Sequence, residues 1–212
     1  RYLMLLDGLK NTIIITLGAL LIGIVLGTAV AVIKFLVEEK PALKPLAWLC
    51  NVYVTVVRGV PVVVLLLIFY FVILRSADGI VTGIVAFGIN SGAYMAEIIR
   101  GGINAVDSGQ TEAARSLGFN RMAAMRFVVL PQAVKNILPA IGNEMIALLK
   151  ETAVAGYVAV QDLTRAANLI RHNTYDAQNP LLATAIVYLT MVVLLTAQLG
   201  KLEMRLRRSD VR

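Results

Sequence analysis

The stretch EAARSLGFNRMAAMRFVVLP, residues 112–131, lies in the middle of the chain between long apolar runs and carries three arginines. It reads as an alanine-rich helix, a glycine break and a second short helix. Asp107 can cap the first helix, with Gln110 three residues later as its capping-box partner, and Gly118 suits the left-handed residue that follows a helix. We therefore predict two short helices, over about residues 109–117 and 120–127.

The runs on either side of this stretch are long enough to cross a membrane. Hydrophobic residues make up 58% of the 212 and charged residues 16%, against about 45–50% and about 25% in an average soluble domain. A spanning helix needs about 20 mostly apolar residues, and five segments qualify: 12–33, 46–74, 79–99, 131–160 and 177–200. The fourth is the most polar. The sequence predicts an all-α integral membrane protein with five transmembrane helices, forming a single domain over residues 1–212.

The basic residues are unevenly divided among the segments between these runs, and the net charge is +7. With the N-terminus and Arg1 outside, the segments that face the cytoplasm are residues 34–44, residues 100–135 and the tail after residue 200. These segments hold most of the 20 lysines and arginines, including Arg207, Arg208 and Arg212. Cytoplasmic segments carry such an excess. We therefore expect an outside N-terminus, a cytoplasmic C-terminus and no nucleic-acid partner.

Two glycine-containing motifs modify the spans. RGVP, residues 58–61, stands inside the second run, where arginine, glycine and proline together favour a broken helix; an ordinary proline kink is the alternative. Broken membrane helices persist where protein or a water-filled cavity covers the freed backbone groups. In the first span, Gly23 and Gly27 form a G-x-x-x-G pair, which lets helices approach closely, within the chain or in a dimer.

Ionisable residues within the spans are the first candidates for a functional site, because charges are costly inside a membrane. Asn90, Tyr94 and Glu97 fall on one face of the third span, and Glu144 and Glu151 share a face of the fourth. We expect both faces to turn toward other helices or a cavity. Such polar faces argue against the alternative of a membrane scaffold that transports nothing.

The central stretch resembles the cytoplasmic motif of the permease subunits of binding-protein-dependent ABC importers, which reads E-A-A, three residues, G, nine residues, I-x-L-P. Glu112, Ala113, Ala114 and Gly118 stand at the matching spacing, and Val128 replaces the usual isoleucine. The segments RGVPVVVLLLIFYF, GAYMAEIIRGGINAV, LPQAVKNILPAIGNE and TYDAQN resemble the polar amino-acid permeases, for histidine, arginine, lysine and glutamine. The resemblance covers nearly the whole chain, with RGVP where R-G-T-P is commoner.

The resemblance implies a type I ABC importer permease whose cytoplasmic coupling loop, residues 108–127, docks into a groove on a separate ATPase. The implied coupling residues are Glu112, Ala113, Ala114, Arg115, Gly118 and Phe119. We expect an apolar face to fill the groove, with Phe119 as its anchor because aromatic side chains often dominate interface energy; the face consists of Ala113, Ala114, Leu117 and Phe119. Arg115 and Arg121 would meet acidic groups or solvent. A helix pair lying on anionic lipid is the alternative.

The chain has no G-x-x-x-x-G-K-[ST] phosphate-binding loop. The resemblance therefore places ATP and Mg²⁺ on the partner ATPase, and we expect this chain to be no enzyme and to bind no cofactor or metal itself. The implied partners are two copies of the ATP-binding subunit, a second permease, identical or related, an extracytoplasmic amino-acid-binding protein and membrane lipid, in a prokaryotic cytoplasmic (inner) membrane. An ion-coupled secondary transporter is the alternative, although five spans without a visible repeat are unusual for that class.

The substrate would pass between the spans, and its candidate contacts are Thr55, Leu67, Tyr70, Ser91, Tyr94, Glu151 and Thr152. Hydroxyl groups among these suit the zwitterionic ends of an amino acid, or bonds to other helices. Glu151 suits a cationic side chain and so favours arginine, lysine or histidine, unless it forms a surface pair with Lys150. We assign Arg58, Glu97 and Glu144 to gating or helix pairing, and expect Glu97 and Glu144 to pair with Arg58 or Arg100; direct contact of these carboxylates with the substrate is the alternative. We expect His172 on the solvated surface.

Overall fold

The computed structural model describes residues 2–208, with side chains up to residue 206, and the regular structure in this part of the chain is helical throughout. The α-helices are α1 Tyr2–Leu36, α2 Lys44–Gly59, α3 Val62–Ile68, α4 Gly79–Asn104, α5 Ser108–Ser116, α6 Arg121–Ala124, α7 Leu130–Glu151, α8 Leu163–Thr174 and α9 Gln178–Arg208. Short 3₁₀ helices lie at Pro41–Leu43 and Thr152–Val158, and π-helical turns at Phe69–Ile73 and Met125–Val129. Arg1, Arg212 and the side chains of Arg207 and Arg208, which entered the charge count, lie outside the described residues.

Three of the described helices, α1, α4 and α9, are long and apolar enough to cross a membrane, with mean hydropathies of 2.6, 1.3 and 2.1 in their most apolar stretches. The segments on either side of the RGVP motif are together long and apolar enough to form one bent span. α7 occupies the fourth expected segment and is less apolar than these helices, because Lys135, Glu144, Lys150 and Glu151 lower its hydropathy. All five expected segments are therefore helical, and the fourth is the most polar, as the sequence predicts.

The second span is broken at the RGVP motif. Gly59 ends α2, Val60 is extended at φ −100° and ψ 131°, and α3 starts after Pro61. A proline disfavours helical backbone at the residue before it, which explains the extended Val60. The two segments meet at 109°, far beyond an ordinary proline kink. The prediction of a broken helix is confirmed.

α1 and α4 pack closely because glycines lie at their contact. Gly23 lies against Ser91, and Gly27 lies against Met95. From the opposite side, Gly88 of α4 lies against a side chain of α1. Small residues let helix backbones approach in this way. The G-x-x-x-G pair therefore serves packing inside the chain, and the dimer contact considered above is not its use here.

Two apolar clusters hold α2, α3, α7 and the Thr152–Val158 helix to this pair. One joins α1, α3, α4, α7 and the Thr152–Val158 helix through fully buried side chains: Ile15, Leu66, Phe87, Leu148 and Val158. The other joins α1, α2, α3 and α4 and contains Val30, Cys50, Val54, Val57, Leu65, Ala93 and Ala96. Of the apolar stretch of α4, 61% is buried, against 11% for α9. α4 is thus the central helix, and α9 presents its apolar surface outward.

Between α7 and α9 the chain forms a short amphipathic helix, α8, which buries Leu163, Ala166, Ala167 and Ile170. The carboxylate of Asp162 begins α8 by accepting backbone hydrogen bonds from Thr164 at 2.8 Å and Arg165 at 3.2 Å. Asp162 is fully buried, and burial raises the pKa of its carboxyl, against the lowering effect of these hydrogen bonds. Asn11 of α1 donates a hydrogen bond to the carbonyl of Gln161 at 3.0 Å, so α8 is fixed to the start of α1.

Gly27→Ala tests the packing of α1 on α4. A Cβ atom at Gly27 would lie 2.8 Å from backbone atoms of Met95 and Ala96, so the helices must separate, at a cost of about 1–3 kcal/mol. We expect a lower unfolding temperature in detergent. Gly101→Ala is the matched control, because it is also helical but has open space around its Cβ position. Equal stability of the two variants would contradict the packing described above.

Candidate functional site

The helix pair, α5 and α6, is fixed at its turn by a Schellman motif. Gly118 has φ +90°, its N–H donates to the carbonyl of Arg115 at 3.0 Å, and the N–H of Phe119 donates to the carbonyl of Ala114 at 3.1 Å. This pattern ends a helix with a left-handed residue, usually glycine. The predicted role of Gly118 in ending the first helix is confirmed. At the other end, Asp107 caps α5 by accepting from the N–H of Gly109 at 2.7 Å.

Two details of the helix pair differ from the sequence prediction. The side-chain oxygen of Gln110 accepts from Gln132 at 3.4 Å, which places it toward α7 and away from a capping box. The second helix does not end before the next span: α6 continues through the π-helical turn into α7, where the N–H of Leu130 donates to Met125. A proline lacks the N–H of the helical ladder, and the widened turn stands directly before Pro131.

The helix pair exposes apolar side chains. Leu117 is 81% exposed and Phe119 38%, and the Phe119 ring lies 6.5 Å from that of Phe127. Glu112, Ala113 and Arg115 are also exposed, whereas Ala114 is 3% exposed. The expectation that Ala114 belongs to the exposed face is therefore wrong, since it packs inside the helix pair. Leu117 takes its place as the most exposed apolar side chain of the turn.

A cavity of about 460 Å³ lies at the break in the second span. It brings together four residues that the sequence singled out, Thr55, Arg58, Tyr94 and Glu97. The Arg58 guanidinium lies 5.2 Å from the centre of the Tyr94 ring, a distance at which cation and ring attract. Lys34 and Asn51 line the same cavity, as do Val54 and Gly59.

Sequence reasoning missed two of the polar residues of this cavity. Asn51 lies one helical turn before Thr55, so the helical period could have found it. Lys34 carried no such signal, because the sequence places it at the end of another helix.

Glu97 is the anionic centre of this cavity. Its carboxylate lies 2.6 Å from Arg100, 3.9 Å from Arg58 and 4.0 Å from Lys34. The expected pairing with Arg58 or Arg100 is confirmed for Glu97, with Lys34 as an additional partner, whereas Glu144 instead accepts a hydrogen bond from Ser91. Three cations around one carboxylate leave an excess of positive charge, which favours an anionic group in the adjoining space.

The carboxylates of α7 face the polar side of α4. Ser91, which is fully buried, donates from Oγ to Glu144 Oε1 at 2.9 Å, and Asn90 Nδ2 donates to Glu151 Oε2 at 3.3 Å. The prediction that both polar faces turn toward other helices is confirmed. No ion pair within 4.0 Å joins Glu151 to the exposed Lys150 in the described residues, although the two side chains interact electrostatically.

The remaining candidate contacts lie in the apolar core. Thr152 is fully buried and donates from Oγ1 to the carbonyl of Leu149 at 2.7 Å. Leu67 and Tyr70 are partly buried and pack against the cluster around Phe87. None of these three residues lines the cavity at the break.

A second cavity, of about 630 Å³, lies between the Thr152–Val158 helix and α8, and His172 lines it together with Arg165. Arg165 Nη1 donates to the carbonyl of Gly156 at 2.6 Å, which ties these two segments together. In the described part of the chain, no three His, Cys, Asp or Glu side chains are grouped so that they could hold a metal ion.

Comparison with known proteins agrees with this architecture. A family model described as binding-protein-dependent transport system inner membrane component matches residues 23–208. The chain is 37% identical to a probable glutamine ABC transporter permease protein of Bacillus subtilis (strain 168), over 99% of this chain and 96% of the relative. It is also 37% identical to an arginine transport system permease protein of the same organism, over 97% and 94%.

Solved structures share the fold. A crystal structure of an amino acid ABC transporter with histidines contains a chain that is 40% identical, with a TM-score of 0.89, over 95% of this chain and 94% of that one. An inward-facing methionine ABC transporter, MetNI, gives a TM-score of 0.82 at 21% identity, over 97% of both chains. At 21% identity, the similarity to the methionine transporter shows a shared fold only.

Proposed function

Because the chain belongs to the family of binding-protein-dependent transport system inner membrane components and is the permease subunit of an ABC amino-acid importer, we propose that it forms the translocation pathway of an ATP-driven uptake system for polar amino acids. The observation that carries this proposal is the cavity at the break in the second span, where Thr55, Arg58, Tyr94 and Glu97 meet. Broken helices with polar groups at the break recur at transporter binding sites.

The cavity suits the zwitterionic end of an amino acid. The α-carboxylate would lie near Arg58 and the Thr55 hydroxyl, where the surplus of cations around Glu97 favours an anion. The Tyr94 ring, already held by Arg58, would form one wall. We assign Glu97 to holding the cations in place and to gating, because its oxygens are already occupied by them.

Of the two carboxylates of α7, we assign Glu151 to selecting the side-chain class of the substrate. Glu151 accepts one long hydrogen bond, from Asn90, and keeps further acceptor capacity for a guanidinium, ammonium or amide group. The relatives named above for glutamine and arginine support a substrate with such a side chain. Ser91 and Glu144 bond each other, and with Thr152 we assign them to holding α4 and α7 at this position. Leu67 and Tyr70 would close the apolar side of the pathway.

The energy would come from partner chains. We propose that the helix pair docks on a separate ATPase through Leu117 and Phe119, with Glu112, Ala113 and Arg115 around them and Gly118 fixing the turn. ATP and Mg²⁺ would bind to that ATPase, present in two copies. A second permease and an extracytoplasmic binding protein would complete the system. The helix pair would then lie in the cytoplasm and the N-terminus outside, as the basic residues favour.

The direct test is reconstitution of the chain in vesicles with its candidate ATPase and binding protein. We expect uptake of arginine or glutamine that depends on ATP. Matched vesicles without ATP, or with an ATPase unable to hydrolyse it, are the control. Uptake that follows an imposed ion gradient in the absence of the ATPase would contradict the proposal and indicate a secondary transporter.

Glu151→Gln should separate cationic from neutral substrates. Removing the charge leaves a side chain of the same shape that can still bond Asn90, so the KM for arginine should rise about tenfold, as expected for the loss of a charge-assisted hydrogen bond. The KM for glutamine should change less than about twofold. Glu39→Gln, an exposed carboxylate elsewhere, is the control. An equal loss for both amino acids would assign Glu151 to a structural role.

Phe119→Asp should detach the ATPase without affecting insertion. A carboxylate in an apolar interface cannot be paired there, and the loss of a central aromatic anchor costs about 2 kcal/mol or more. We expect at least tenfold less ATPase recovered with the purified permease. Tyr157→Asp is the control, since Tyr157 is 68% exposed on a segment that does not belong to the helix pair. Full ATPase recovery with Phe119→Asp would contradict the docking role.

A further inference from the structure

The end of α1 reaches the helix pair through one group of side chains, which we call the latch: Phe35, Glu38 and Arg121. Arg121, the first residue of α6, places Nη2 2.5 Å from Glu38 Oε2, and its guanidinium lies 4.7 Å from the centre of the Phe35 ring. An ion pair and a ring contact together fix a guanidinium in both position and plane. Glu38 lies in a hydrogen-bonded turn that continues α1, where the N–H of Lys40 donates to Leu36.

The latch lies beside an open space. A cavity of about 560 Å³ separates the end of α1, the end of α4 and the helix pair, and all three latch residues line it together with Lys34 and Arg100. Side chains that are not packed against each other transmit little force. At this place a displacement of the helix pair therefore reaches α1 through the Arg121 side chain that spans the gap.

The same end of α1 also contacts the cavity at the break. Lys34, one helical turn before Glu38, lies 4.0 Å from Glu97, and Glu97 lies 3.9 Å from Arg58. Because α1 is a continuous helix up to Leu36, a displacement of Glu38 would move Lys34 as well. The latch thus lies at one end of α1, between the helix pair and the residues of the cavity at the break in the second span.

Resting on the proposed function, we propose that Glu38 and Arg121 are positioning residues of transport. They carry the displacement of the helix pair to the end of α1, and from there to Lys34 and the cation cluster around Glu97. Neither residue touches the substrate. Their loss would leave ATP hydrolysis intact and make it less effective in moving the amino acid.

The first experiment measures amino acid transported per ATP hydrolysed in the reconstituted system. Arg121→Glu and Glu38→Arg should each lower this ratio about fivefold, since a partly exposed ion pair and a cation–ring contact are both modest. The exchanged variant, Glu38→Arg with Arg121→Glu, should recover more than half of the ratio. The matched controls are the neighbouring charges Glu39→Arg and Arg126→Glu. An unchanged ratio in both single variants, or no recovery in the exchanged one, would overturn the proposal.

The second experiment needs no transport. Spin labels at Glu39→Cys and Arg126→Cys, in a Cys50→Ala background and diluted with unlabelled chain in membranes, report the distance between α1 and the helix pair. We expect one narrow distribution, which broadens with Arg121→Glu and narrows again in the exchanged variant. The same width in all three would overturn the latch. The distance distribution could depend on the latch in this way in a chain that shows no ATP-driven uptake. That result would support the latch and would contradict only the proposed function.

Discussion

The close contact of α1 with α4 is the constraint on which the rest of the structure depends. Gly23 and Gly27 bring the two backbones together, and this leaves α4 buried on most of its surface. A helix in that position cannot turn its polar side chains to water, so Asn90 and Ser91 bond the carboxylates of α7. The placement of α7, with its low hydropathy, follows from these bonds, because a helix with two carboxylates needs a polar neighbour inside a membrane.

The break in the second span is caused by neighbouring residues, whereas the polar side chains that surround it are brought there by tertiary packing. Val60 and Pro61 impose an extended backbone, and the 109° turn leaves room for a cavity where a straight helix would have filled it. Arg58 stands at that turn, and Glu97 and Tyr94 of α4 hold it there. A charged residue beside freed backbone groups is stable only because the protein supplies both a counter-charge and a polar space.

Sequence reasoning succeeded mostly where the signal is local, although the capping-box role of Gln110 was wrong because its side chain bonds Gln132 instead. The Gly118 turn and the Asp107 cap depend on neighbouring residues, and both were predicted correctly. The burial of Ala114 and the continuation of α6 into α7 were missed, because they depend on how the helix pair folds against α7. The pairing of Arg121 with Glu38 joins residues far apart in the chain, and no periodicity marks such a pair.

The continuity of α6 with α7 is the structural feature that would let the helix pair of this importer permease transmit displacement in the proposed docking. α7 starts at the helix pair without a flexible joint, and further along it bears Glu144 and Glu151, which bond α4. A helix transmits displacement along its axis because its backbone hydrogen bonds resist stretching, whereas a loop would absorb the movement. The capped turn at Gly118 serves the same end, since it prevents the exposed Leu117 and Phe119 from moving independently of α5. If the helix pair docks as proposed, force applied to these two side chains would pass along α7 toward its interface with α4, where the partly buried carboxylates lie.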